Sequence, residues 1–112
     1  MKQIINLLLA GLLATSAKGQ VIEQVKYKSE AQVVVRFVYN KYQADAIVCK
    51  GYKYEAKQKA GIWHYSSNDP YRVRIYVTEY AHEADINIFV ALNKWEIKTS
   101  DDYNGLFYEE RN

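Results

Sequence analysis

A short phrase recurs along the chain and constrains its fold more than any other feature. An acid or amide residue, then Ala, then a polar residue and a β-branched run stand in SEAQVVVRF (29–37), YQADAIVCK (42–50) and HEADINIFV (82–90). Ala31 and Ala44 lie 13 residues apart, and Ala56 follows 12 residues after Ala44. Self-similarity at a fixed period is the signature of a repeat architecture. The spacing therefore predicts a chain that makes the same short pass about seven times.

Each well-formed unit alternates between apolar and polar residues. The residues that share one face are Ala31, Val33, Val35 and Phe37 in one unit, Tyr71, Val73, Ile75 and Val77 in another, and Ala84, Ile86, Ile88 and Val90 in a third. A period of two with β-branched enrichment indicates a strand with one buried face. The pattern predicts an all-β fold of about seven short strands, each followed by a connector.

The predicted connectors are charged and aromatic, as in VYNKYQ, GYKYE and TEYAHE. Two-residue hairpins favour Asn-Gly or Asp-Gly, and the chain has such a pair only at Asn104-Gly105. We therefore expect longer crossovers between most strands, with a short helical turn as an alternative over 54–60. From the residues alone, a β-solenoid and a small barrel both fit this pattern.

The first twenty residues, MKQIINLLLAGLLATSAKGQ, have the order of a secretory signal. Lys2 precedes an apolar segment over 4–13, and small residues follow at Ala17 and Gly19. Such a segment is too short to span a membrane. We predict a signal peptide over 1–19 and a single domain over 20–112, exported to the periplasm or the medium, with no membrane span. Cleavage after Ala17 is the alternative.

The charge and cysteine content of the predicted mature chain narrow its partners. Removal of Lys2 and Lys18 leaves 13 basic and 13 acidic residues, so the chain is formally neutral. A neutral chain lacks the basic surface that nucleic acid requires. Cys49 is the single cysteine, which excludes an internal disulfide. We interpret Cys49 as a buried residue of a strand; a weak homodimer joined through Cys49 is the alternative.

The residues around His82 are the nearest approach to a catalytic or metal site. Glu79 stands three residues before His82, and two further carboxylates follow at Glu83 and Asp85. No second histidine stands four residues away, and the single cysteine, Cys49, lies in another unit. Tyr42 occupies the place of His82 in another unit, so the repeat explains the residue without a site. We expect no catalytic residue, no metal ligand and no cofactor, and a metal-dependent hydrolase is the least favoured hypothesis.

Eleven tyrosines and two tryptophans are unusual for a chain of this length. Several tyrosines recur in the connectors, at positions 39, 42, 52, 54 and 80. If exposed, they would form a surface for a glycan or a protein. Because they recur at matching repeat positions, we favour the interpretation that they pack beneath the crossovers. Trp63 and Trp95 are both candidates for the core.

The repeated phrase, at a period near 13, resembles the septoil-knot family of small, mostly uncharacterised and often exported bacterial proteins. The resemblance covers roughly residues 21–98, with Lys57 where Asp is expected and Tyr71 in place of Ala. It implies an all-β fold in which the chain winds around a torus as a knot with seven crossings. It implies no enzymatic activity, so no functional residue can be transferred.

These observations favour an exported, non-enzymatic structural domain whose topology supplies its stability. A tyrosine-rich binding module for a glycan or a protein is the second hypothesis.

Overall fold

The structure is a computed structural model and describes residues 20–107. Its strands form one closed barrel in which every neighbouring pair is parallel. The six strands are β1 (Gln20–Gln24), β2 (Val33–Phe37), β3 (Ala46–Lys50), β4 (Ile62–Tyr65), β5 (Val73–Val77) and β6 (Ile86–Ala91). The prediction of an all-β domain is confirmed. Of the two architectures that the residues left open, the structure has the small barrel.

The order of strands around the barrel is β1, β5, β2, β6, β3, β4. The chain advances by two places from β1 to β2 and again from β2 to β3, which leaves a gap between each pair. β4 then lies between β3 and β1, and the second lap places β5 between β1 and β2 and β6 between β2 and β3. The chain therefore passes β1 again and begins a second, interleaved lap around the same axis, which agrees with the torus winding implied by the family resemblance.

The connectors are crossovers, because parallel neighbours cannot be joined by a tight hairpin. Three of them contain a single 3₁₀ turn, the segment that follows β6 contains a fourth, and the connector after β3 contains the short helix α1 (Lys53–Ala56). The 3₁₀ turns are Lys28–Glu30, Lys41–Gln43, Ala81–Glu83 and Lys94–Glu96. Within each lap these turns start 13 residues apart, so the period seen in the sequence is the length of one strand and its crossover. The predicted long crossovers are confirmed.

The barrel interior is filled by the alternating residues of the strands. Val33 and Val35, Val73 and Ile75, and Ile86 and Ile88 are at most 1% exposed. The predicted buried faces are therefore confirmed within the strands. Tyr71 differs, since it precedes β5 and is 80% exposed. Burying each of these branched side chains contributes about 1.5–3 kcal/mol.

The repeated phrase has a structural cause in the hydrogen bonds at the strand starts. Asp85 Oδ2 accepts from the Val34 backbone N–H, and the Asp85 N–H donates to the Val34 carbonyl, both at 2.8 Å. Asp45 forms the same pair of bonds with Asn87. Gln32 forms it with Arg74, as part of the same repeating pattern. A short polar side chain at this position extends each parallel ladder by one residue.

A second helix, α2 (Asp101–Phe107), occupies the part of the tail where the repeat count would place a further strand. Its Tyr103 and Phe107 side chains are fully buried in the main core, with Phe107 5.5 Å from the Trp63 ring. Trp63 Nε1–H donates to the Tyr103 oxygen at 2.8 Å, and the Tyr103 hydroxyl donates to Gln20 Oε1. Gln20 begins β1, so α2 closes the end of the barrel at which the strands start.

Cys49 lies in β3 and is 4% exposed, as expected for a buried strand residue. A disulfide between two chains would have to bring its sulfur to the surface, so its burial does not support the homodimer alternative. Among the described residues, no helix is long and apolar enough to span a membrane.

Candidate functional site

The connector tyrosines are exposed, so the prediction that they pack beneath the crossovers is wrong. The exposed fractions are 100% for Tyr39, 86% for Tyr42, 68% for Tyr52, 65% for Tyr54 and 62% for Tyr80. The 3₁₀ turns satisfy their own backbone groups, as when the Gln43 N–H donates to the Asn40 carbonyl. The turns therefore need no tyrosine hydroxyls, and the strands already fill the core. The tyrosines that recur in the connectors are therefore all exposed to solvent.

The two tryptophans have opposite environments. Trp63 is 1% exposed and belongs to the main core, as predicted. Trp95 is 82% exposed, so its assignment as a core candidate is wrong. Trp95 is the middle residue of the turn Lys94–Glu96, in the repeat position that Tyr42 holds in the turn Lys41–Gln43. It therefore joins the exposed tyrosines.

These side chains lie on connectors that follow neighbouring strands of the barrel, β5, β2, β6 and β3. Lys94 and Glu55 form an ion pair that joins the connectors after β6 and β3 directly. We call this set of side chains the aromatic band. Its members are Tyr80, Tyr39, Tyr42, Trp95, Tyr52 and Tyr54.

The surface of the band forms a shallow, open groove at Tyr52 and Tyr54. Their ring centroids are 6.0 Å apart and their ring planes differ by 6°. Lys53, Lys57 and His64 complete the lining of an open groove of about 580 Å³. We call this surface the tyrosine groove. His64 Nδ1 lies 3.1 Å from the Gly51 carbonyl oxygen, which orients the imidazole at the groove wall.

A buried carboxylate anchors the two lysines of the groove. Asp69 is 2% exposed, and its Oδ2 lies 3.3 Å from Lys53 Nζ and 3.2 Å from Lys57 Nζ. Burial acts to raise the pKa of Asp69, but the hydrogen bond from the Tyr71 N–H and the two neighbouring lysine ammonium groups outweigh it and lower that pKa. The carboxylate is therefore charged at neutral pH, and the group of three carries a net charge of +1.

Glu55 fixes the segment that carries the paired rings. Its Oε1 accepts from the Tyr52 N–H at 3.0 Å, and its Oε2 pairs with Lys94. The hydrogen bond from Lys94, followed by that from Tyr52, lowers the pKa of Glu55. One carboxylate therefore ties the start of α1 to the neighbouring connector, which holds Tyr52 and Tyr54 in place.

The residues around His82 do not converge on a site. Glu79 and His82 are exposed, and the His82 ring lies 5.8 Å from that of Tyr80. Glu83 accepts from the Thr78 hydroxyl at 2.8 Å, and Asp85 extends the ladder to β2. Within residues 20–107, no three His, Cys, Asp or Glu side chains are grouped so that they could hold a metal ion.

Sequence reasoning did not find the tyrosine groove, because its parts come from separate segments. Tyr52, Lys53 and Lys57 are close in sequence, but His64 and Asp69 reach them only through the fold. The sequence signal that could have indicated exposure is Lys53, which stands beside both tyrosines in YKY. A charged residue next to an aromatic ring is typical of a solvated turn.

The architecture is that of a closed, all-parallel β barrel made by two interleaved laps of one chain and closed at one end by a helix. A family model of the 7(1) septoil knot domain matches residues 19–97. The chain belongs to the septoil knot family, as its repeated phrase predicted. No curated protein and no solved structure matches the chain.

Proposed function

We propose that this septoil knot domain is an exported, non-catalytic binding domain. The barrel acts as the scaffold, and the aromatic band supplies the contact surface. The observation that supports the proposal is the exposure of six aromatic side chains on four consecutive connectors. Aromatic rings with a polar end are enriched at binding surfaces, and contiguous exposed apolar patches mark interaction sites.

The scaffold part of the proposal follows from the winding. β5 and β6 each lie between two strands of the first lap, so neither can leave the barrel without breaking two parallel ladders. Long-range pairing of this kind slows both folding and unfolding. The chain reaches this stability without an internal disulfide, since Cys49 is its single cysteine. We expect unfolding in mild denaturant to take far longer than seconds; a half-life of seconds would contradict the scaffold role.

The export part rests on residues 1–19, which lie outside the described residues. Gln20 belongs to the folded domain, since it is 1% exposed and its side chain accepts from Tyr103 and from the Gly61 N–H. Removal of residues 1–19 keeps this side chain in the domain, as does cleavage after Ala17. The intact mass of the exported chain distinguishes the two positions.

The binding role is tested by retention of the purified chain on cellulose, chitin, xylan and isolated bacterial cell walls. The test variant carries Tyr42→Ser, Tyr80→Ser and Trp95→Ser together. The control is Gln43→Ser, because Gln43 is exposed in the same turn as Tyr42 and has no aromatic ring. The proposal expects retention on at least one support that the triple variant loses and the control keeps. Absence of retention on every support, or equal retention of the triple variant, would refute it.

A further inference from the structure

We propose that the tyrosine groove binds an acidic polysaccharide, of the kind built from uronic acid units. The inference rests on the proposed binding function and names the ligand class for one part of the aromatic band. The rings of Tyr52 and Tyr54 are nearly parallel, and both are more than 60% exposed. Because the two rings are stacked, each has an outer apolar face and a hydroxyl group at its edge, which suit the apolar face of a pyranose ring and its hydroxyls.

The cations of the groove select an acidic ligand. Lys53 and Lys57 have side chains that are 48% and 49% exposed, although both contact Asp69. Each ammonium has three donors, so donors remain for a ligand after the contact with Asp69. Because one buried carboxylate faces two ammonium groups, the groove keeps an excess positive charge beside the rings. A carboxylate of the sugar chain would balance that charge.

The distribution of charge along the sequence also supports an acidic ligand for the tyrosine groove. Residues 41–64 carry five lysines and two acids, whereas residues 65–112 carry nine acids and five basic residues. The basic surface is thus local to the segment that forms the groove. It is too small for nucleic acid, which is bound by extended basic faces. Two cations next to two rings instead match a ligand that alternates a charged group with an apolar ring face.

The experiment titrates the purified chain with three soluble probes and measures Kd by calorimetry. The probes are hexagalacturonic acid, its methyl ester, which keeps the rings and lacks the charge, and polyglutamate, which has the charge and lacks the rings. The variants are Tyr54→Ser and Lys53→Gln, and Lys57 still pairs with Asp69 in the second. Tyr27→Ser is the control, because Tyr27 matches Tyr54 in exposure and lies two connectors away around the barrel.

We expect hexagalacturonic acid to bind, and Tyr54→Ser to weaken its binding about tenfold. The methyl ester and the Lys53→Gln variant should each show weaker binding, and Tyr27→Ser should stay within about twofold of the unmodified chain. Equal affinity for the ester, equal affinity for polyglutamate, or no effect of Tyr54→Ser would each overturn the proposal. So would the absence of binding at roughly millimolar probe.

The two proposals fail separately. If hexagalacturonic acid does not bind but the triple variant of Tyr42, Tyr80 and Trp95 loses retention on a polysaccharide support, the acidic groove is wrong and the binding function stands. If nothing is retained on any support and no probe binds, both are wrong.

Discussion

Gly61 is the residue whose replacement should disturb the fold most for the smallest change in side chain. It follows α1 with φ of +86°, a backbone conformation that residues with a Cβ rarely adopt. A Cβ placed on Gly61 would overlap Ile97 Cγ2, at a separation that real Cβ atoms essentially never show. Neither side of this overlap can move freely. The Gly61 backbone is held because its carbonyl accepts from the Cys49 N–H, and the Ile97 side chain packs against the cluster that contains the buried Ile62.

The expected cost of Gly61→Ala is the sum of two contributions. The left-handed conformation costs a residue with a Cβ about 1–2 kcal/mol, and the overlap with Ile97 costs about 1–3 kcal/mol, as overpacking does elsewhere. We therefore expect a loss of about 2–5 kcal/mol in the free energy of unfolding. For a domain of this size, a loss of 1 kcal/mol lowers Tm by roughly 4–8 °C.

The measurement is the urea midpoint after samples have been incubated until folding and unfolding series coincide. Gly105→Ala is the matched control, because Gly105 lies in α2 and a Cβ there meets nothing within 4 Å. Alanine should stabilise that helix by about 0.5–1 kcal/mol. The reasoning is refuted if Gly61→Ala changes the free energy of unfolding by less than about 0.5 kcal/mol, or if the control destabilises the protein more than Gly61→Ala does.

Three further predictions concern hydrogen bonds and charge. Tyr103→Phe removes the acceptor of Trp63 Nε1 at the closed end of the barrel, and should lower the free energy of unfolding by about 1–3 kcal/mol; an unchanged urea midpoint would contradict the role of this network. Asp45→Ala removes the acceptor of the Asn87 N–H and should cost about 0.5–1.5 kcal/mol, measured in the same way, whereas no change would show that the repeated phrase has another cause. Because the fold lowers the pKa of Asp69 below its ordinary value of 3.8, its stabilisation is present above about pH 4 and is lost as the pH falls through the lowered value. Asp69→Asn should therefore be less stable at neutral pH and lose less stability on acidification, and parallel pH profiles of the two proteins would contradict this.

The strands were predictable because their information is local. Val73 and Ile75 are buried and alternate with the exposed Arg74, and that period survives in the fold whatever the order of strands. The interleaving of β5 and β6 was not predictable from the residues, since a solenoid and a barrel bury the same alternating face. The family resemblance supplied the winding.

The aromatic residues show what the sequence repeat could not predict. Trp63 follows the apolar Ile62 in the strand IWHY and is buried, while Trp95 lies between two charged residues in KWE and is exposed. A repeat assigns equivalent positions but does not say whether they face inward. The charged neighbours of Trp95 carried that information. The tail over 101–107 was missed for a different reason, because its helix closes the barrel from outside the repeat.

The two laps also set an order of events during synthesis. The ribosome synthesises β1, β2, β3 and β4 first. The strands β5 and β6, which fill the gaps between β1, β2 and β3, come later. A nascent chain that ends before β5 therefore has unpaired strand sides on both flanks of β2, where every other protein chain is a candidate for pairing. The completed barrel has no such side, so protection from aggregation arrives only with the last strand. A fragment that stops after the first lap therefore has exposed strand edges and does not form a smaller closed domain.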